Sequence, residues 1–301
     1  RLYRESDSKK VKEAVIEAHI ISDEAGDLIG ILESESDPDL QADIIHALGV
    51  MDAAEDLEKL YPTLQGKRAK IAALEAFAIA GDTATLKKVL ETEQDESLRR
   101  TAIHGIAMAD DGDAAEVLVD IYANAVSAEE KRMVLDSLVM LDDGEELALE
   151  VVRSEEDEDL RAQAIRTLGV LEATEELAML YGSLDVIDLR KAALEAMMIA
   201  DDEDGLMKII ESESDPDLRA AAIHALAVNG GNKTADYLLS LYPKGSPDEK
   251  QAVIQSMLIM DHTEGLVALL DIEKDPARER EILQMLTVMD SEEADEILFK
   301  A

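Results

Sequence analysis

Cysteine and tryptophan are both missing from this 301-residue chain, and six tyrosines and two phenylalanines supply all its other aromatic rings. Without cysteine there is no disulfide, no thiolate metal site and no thiol chemistry, although the absence does not choose a redox compartment. With so few rings, any core must be aliphatic. Proline and glycine are scarce as well, at six and fifteen residues, which favours helix. Basic residues are outnumbered, 29 Lys and Arg against 69 Asp and Glu, for a formal net charge of −40. A nucleic-acid binder needs a basic footprint to collect phosphates, and an anionic membrane surface asks for the same, so the charge excludes both classes. No apolar run approaches the ~18 residues of a transmembrane helix, and no membrane insertion is expected. The chain opens at Arg1 with no signal-peptide pattern. It is expected to be a soluble fragment, cytoplasmic sooner than secreted.

What is present is a hydrophobic fraction of 47%, enough for a core despite the charge, and a repeat. One apolar position recurs as Ile16, Ile45, Leu74, Ile103, Leu135, Ile165, Leu194, Ile223, Ile254 and Leu283, at steps of 29 to 32 residues. Numbered from this anchor, positions −1, 0 and +3 form one buried helical stripe, with His19 the single exception at +3. Position +5 is apolar in every repeat, from Ile21 and Val50 to Ile259 and Val288. It falls on another side, so a second neighbour is expected there. Small residues at +2, among them Ala47, Ala76, Gly105, Ala196 and Ser256, would let helices pack closely.

Two polar columns run alongside. Position −4 is basic in most repeats, as in Lys12, Lys70, Arg99, Lys131, Arg161, Arg190, Arg219 and Lys250, and is expected to offset neighbouring carboxylates. Position +7 is acidic in most, as in Asp23, Asp52, Asp110, Asp142, Glu172, Asp201, Asp261 and Asp290. It lies where one helix should end and a second begin, so these carboxylates are expected to cap the second helix. Asp142 with Glu145, and Asp290 with Glu293, have capping-box spacing. Each repeat thus reads as helix, short turn, helix. Helices of roughly eleven residues are not stable alone, and stacking on the next repeat completes their burial. The expectation is an all-α, right-handed α-solenoid of stacked antiparallel helix pairs, one array over residues 1–301 that begins and ends within repeats.

A longer period is superposed. Leu2-Tyr3, Leu60-Tyr61, Ile121-Tyr122, Leu180-Tyr181 and Leu241-Tyr242 recur every 58 to 61 residues, with Leu298-Phe299 as a further member. The segment 34–40, Ser-Glu-Ser-Asp-Pro-Asp-Leu, returns unchanged at 212–218. Alternate repeats therefore differ. The tyrosines are expected to be half-buried and architectural.

The stretch Asp215-Pro216-Asp217-Leu218-Arg219-Ala220-Ala221-Ala222-Ile223-His224-Ala225-Leu226, with its copy from Asp37 to Leu48 and weaker copies from Asp95, Asp157 and Asp275, resembles the motif of the HEAT-like repeats. The likeness is to the short bacterial form also found in phycobilisome-lyase proteins. The resemblance implies that the motif helix lines a concave surface where partners bind. Family members include scaffolds, transport factors, lyase subunits and a few DNA glycosylases; the last would need a basic, aromatic-bearing groove.

Positions −3 and +1 project opposite the core stripe. With the family orientation they become inner-surface residues. They define a candidate protein-binding stripe of Glu17, His46, Glu75, Arg100, His104, Arg132, Asp136, Arg166, Lys191, Glu195, His224 and Gln255. The expected partner is a protein or peptide, basic by charge complementarity, with Glu75, Asp136 and Glu195 as contacts and the chain itself monomeric. Arg100, Arg132 and Lys191 could instead meet a carboxylate. His46, His104 and His224 share a column but stand too far apart to ligate one metal. The acidic runs at 155–159 and 201–204 lack the spacing of a calcium loop. Methionines 140, 197, 198, 257, 260, 285 and 289 are expected mainly in the core. No catalytic, cofactor or metal motif is visible, so a non-enzymatic scaffold is expected. The alternatives are an enzyme-associated, lyase-like subunit or a regulatory repeat domain of a larger protein.

Overall fold

A computed structural model describes residues 2–22, 25–51, 53–109, 114–141 and 143–289. Among these the chain is helical, with no strand. It divides into two compact units, Arg1–Leu147 and Ala148–Ala301. The first holds α1 (Leu2–Glu5), α2 (Lys9–Ser22), α3 (Ala25–Leu32), α4 (Pro38–Val50), α5 (Ala54–Leu60), α6 (Lys67–Ile79), α7 (Thr83–Thr92), α8 (Glu96–Met108), α9 (Ala114–Asn124) and α10 (Ala128–Ser137). The boundary falls inside α11 (Gly144–Ser154). The second holds α12 (Glu158–Val170), α13 (Thr174–Tyr181), α14 (Ile187–Ile199), α15 (Glu203–Ser212), α16 (Pro216–Val228), α17 (Asn232–Leu241), α18 (Pro247–Ile259), α19 (Thr263–Ile272) and α20 (Pro276–Leu286).

The even-numbered helices carry the anchors and form one layer within each unit. In the first unit α2, α4, α6, α8 and α10 pack in succession, and in the second α12, α14, α16 and α18 do the same. Within each unit the odd-numbered helices between them lie against both flanking anchor helices. The anchor column is buried from Ile16 to Ile254, and so is position −1 from Ile44 to Ile282. Leu28, Leu57, Leu86, Leu177, Leu206 and Leu266 bury the facing side of the second helices. Met197, Met257 and Met289 belong to this core, whereas Met140 is exposed.

The turn between the two helices of a repeat corrects the capping expectation. Glu172, Asp201 and Asp261 have φ of 57°, 55° and 51°, and Gly81 in the same column has 69°. The acidic column is therefore the left-handed residue that ends the first helix. Its amide bonds back to position +4, as in Asp201 N–H to the Met198 carbonyl at 3.2 Å. The next amide reaches position +3, as in Asp202 to Met197 at 2.9 Å, which completes a Schellman motif. Capping falls to that next residue. Asp82 accepts from the Thr85 amide at 3.0 Å, Asp202 from Gly205 at 2.9 Å, and His262, through Nδ1, from Gly265 at 2.8 Å. One residue thus closes a helix with its backbone and opens the following one with its side chain. Asp tolerates the left-handed region better than most residues with a Cβ, which accounts for an acid where glycine would be usual. Asp23, Asp52, Asp110, Asp142 and Asp290, with both capping boxes and Leu298-Phe299, lie outside the described residues.

Two kinds of contact recur between successive anchor helices, while α8–α10 and α16–α18 are spanned instead by the pairs Arg99–Glu130 and Arg219–Glu249. Where α4 meets α6 and α12 meets α14, backbones touch: a Cβ on Gly49 would lie 2.6 Å from the Ala76 Cβ, and one on Gly169 would lie 2.6 Å from the Ala196 carbonyl oxygen. The small +2 residues pack as the sequence pattern requires. Between α2 and α4, α6 and α8, and α14 and α16 a polar cluster is inserted. Tyr3 donates to Glu35 at 2.7 Å, Tyr61 to Glu93 at 3.2 Å and Tyr181 to Glu213 at 2.7 Å. The −4 cation of each repeat, Lys12, Lys70 or Arg190, pairs with the same carboxylate at 2.8 to 3.0 Å and lies over the tyrosine ring. Ahead of α20, Tyr242 donates to Glu273 and Lys250 lies over the tyrosine ring, but the cation on the carboxylate is Arg278, at 2.8 Å. These tyrosines are buried, not half-buried.

Each hub carboxylate also accepts the next two amides, as Glu35 does from Ser36 at 2.8 Å and Asp37 at 3.0 Å. Asp37 then caps α4, and Asp95, Asp157, Asp215 and Asp275 cap α8, α12, α16 and α20 in the same way. Burial alone would raise the Glu35 carboxyl, but the amides, Tyr3 and Lys12 hold it down at about 2. Burial and the facing carboxylate push the tyrosine hydroxyls up.

Candidate functional site

Positions −3, +1 and +5 are four residues apart and so share one face of each anchor helix. The −3 and +1 residues of the candidate stripe are solvent-facing. Glu17, Glu75, Arg100, His104, Asp136, Arg166, Lys191 and Glu195 are exposed, and His46, Arg132, His224 and Gln255 are partly so. Glu17 to Asp136 belong to the first unit and Arg166 to Gln255 to the second.

Neighbours in the +1 column meet across adjacent helices. His46 Nε2 lies 3.5 Å from Glu75, and Arg166 Nε lies 3.8 Å from Glu195. Arg100 pairs with Glu129 at 2.9 Å and Glu96 at 3.9 Å, and Arg132 with Glu129 at 3.6 Å. Two of the three cations considered for an external carboxylate are thus held by carboxylates of the chain itself. The ladder cations behave as expected: Arg99 pairs with Glu130, and Arg219 with Glu249 at 2.8 Å. Desolvation lowers the His224 pKa, and so favours its neutral form. His19 sits elsewhere, with Nδ1 on the Val15 carbonyl at 2.7 Å, and His262 is the cap of α19.

Position +5 overturns an expectation. No second neighbour covers it: Ile21, Val50, Ile79, Met108 and Met140 are 42% to 87% exposed, and Val170, Ile199, Val228, Ile259 and Val288 are 46% to 72% exposed. The column's spacing of four from the polar +1 column already places it on the solvent-facing side of the helix. The candidate face is therefore polar toward the helix N-termini and apolar toward the C-termini.

A surface groove of about 750 Å³ in the first unit is lined by Lys87, Leu90, Asp120, Val126, Glu130 and Met133. Across it Lys87 pairs with Asp120 at 2.9 Å and Glu130 with Arg99. Among the described residues no cluster of three or more His, Asp or Glu could hold a metal ion. No described helix is long and apolar enough to cross a membrane. A comparison with family models and with curated protein sequences finds no match.

Proposed function

We propose that this chain is a non-enzymatic protein- or peptide-binding scaffold, a right-handed α-solenoid of HEAT-like repeats of the short bacterial type. Its partner lies on the −3/+1/+5 face of the anchor helices and is basic. The observation that carries this reading is the apolar +5 column left open to solvent in every repeat, on a chain of net charge −40. Large exposed apolar patches bordered by polar groups mark interaction surfaces. The surrounding acidity would steer a cationic partner and make its association salt-sensitive.

Charge reversal on this face tests the reading. A chain with Glu75→Lys, Asp136→Lys and Glu195→Lys is expected to bind a fluorescein-labelled, lysine-rich peptide about tenfold more weakly in an anisotropy titration at low salt. Equal affinity of variant and parent would remove the face from consideration.

A further inference from the structure

The apolar column of the second unit has a pitch as well as a chemistry. Val170, Ile199, Val228 and Ile259 stand at the C-terminal ends of α12, α14, α16 and α18, and Val288 follows α20. The first helices of this series are held tightly together at that end. Gly169 abuts the backbone of Ala196, and the Asn229 side-chain amide donates to the Met198 carbonyl at 2.8 Å. Helices in such contact stand about 8–10 Å apart, so the rail presents one apolar side chain at about that interval. A polyproline II chain advances about 9 Å in three residues and returns every third side chain to the same face. A β-strand does not, because its side chains alternate. Acidic side chains accompany the rail: Glu172, Asp201 and Asp261 follow two residues after Val170, Ile199 and Ile259, and Glu195 precedes Ile199 by one helical turn, all exposed. A second copy of the chain would bring another −40 against this surface.

Building on the scaffold reading above, we infer that the rail of the second unit is a docking track for a basic segment in polyproline II conformation. An apolar residue at every third position sits between neighbouring rail side chains. The lysines or arginines between them face Glu172, Glu195, Asp201 and Asp261. Affinity comes from the apolar register, and the charges bring the segment to the track and set its salt dependence.

The test uses the full chain and two labelled peptides of identical composition. One has five repeats of Val-Lys-Pro, in which each proline holds its preceding residue in the extended region. The other has its valines gathered at one end. Anisotropy at about 0.15 M salt is expected to show the periodic peptide binding about tenfold more tightly. A variant with Val170→Ser, Ile199→Ser, Val228→Ser and Ile259→Ser should bind both peptides alike while keeping its circular dichroism spectrum, since these side chains are exposed. Equal affinities for the parent, or a preference that survives the four substitutions, would overturn the track and leave the basic-partner reading standing. Failure of either peptide to bind even at low salt would overturn that reading as well.

Discussion

The seam between α14 and α16 and the seam between α12 and α14 join helices of the same length within one unit, yet different forces close them. At α12 and α14 a glycine lets two backbones come together, and the contact is dispersion between small groups. At α14 and α16, Tyr181, Arg190 and Glu213 form a buried cluster that also gathers the Ser214 and Asp215 amides. The first seam depends chiefly on shape, with the exposed Arg166–Glu195 pair at 3.8 Å its one charged contact among those described. The second depends on a network of charged and polar groups that converge on Glu213, although the buried Arg190 Nε has no hydrogen-bond partner in it. The Tyr–Glu cluster recurs at every second repeat, at Tyr3, Tyr61, Tyr181 and Tyr242, which is why the sequence carries a period near 60 residues over one near 30.

The largest effect is expected at the hub of the polar seam. Glu213→Ala leaves the Tyr181 hydroxyl, the Arg190 guanidinium and two amides short of a partner. It should cost about 3 kcal/mol, a fall of roughly 6–12 °C in a thermal melt. A fall under 2 °C would reduce the cluster to decoration. Next, Gly169→Val forces the Ala196 backbone away and should cost about 1–3 kcal/mol in urea unfolding, with no change in the acid limb of stability. Tyr181→Phe removes one hydrogen bond and keeps the ring under Arg190, for about 1 kcal/mol.

Acid separates the two seams directly. The Glu35 carboxyl is held at about 2 in the folded chain, below its unfolded value, so its contribution is complete above pH ~4.3 and is lost as pH falls toward 2. Melting temperatures of the parent and Glu35→Gln should therefore differ at pH 7 and converge near pH 2, whereas the deficit of Gly169→Val should persist throughout. The smallest effect is expected at the turn. Asp201→Gly relieves a left-handed residue with a Cβ and should change stability by no more than about 0.5–1 kcal/mol, on the stabilising side.

Much of this was readable from the residues. The −1, 0 and +3 positions are apolar, His19 apart, because they have no alternative to the core, and their register gives the layered arrangement of helices within each unit. The −4 cations Lys12, Lys70, Arg99, Arg190 and Arg219 were legible as partners of carboxylates, whereas Arg161 donates instead to the Val152 carbonyl. What hid was anything that depends on a single residue's conformation or on a contact between repeats. Asp201 and Asp202 are both acids beside a helix start, and only φ tells which ends one helix and which begins the next. Glu35, Glu93, Glu213 and Glu273 stand ten residues before alternate anchors, but in a chain with 69 acids a recurring glutamate does not announce itself as a hub. The +5 column misled through composition, since Ile and Val at a helix end are usually covered. The −3 cations Arg100 and Arg132 were legible as exposed positions, but not their capture by Glu129.

The alternation of seams has a consequence for how such an array can change length. Adding or deleting one repeat of about 30 residues would bring two unlike helix faces together, one without the tyrosine cluster against one built to receive a tyrosine and its cation. Adding or deleting a pair restores both joints. Growth in this architecture is therefore quantised in doublets, and a terminus at the polar joint would leave Tyr, Lys and Glu to be hydrated, whereas one at the glycine joint would bare aliphatic surface to a sister molecule.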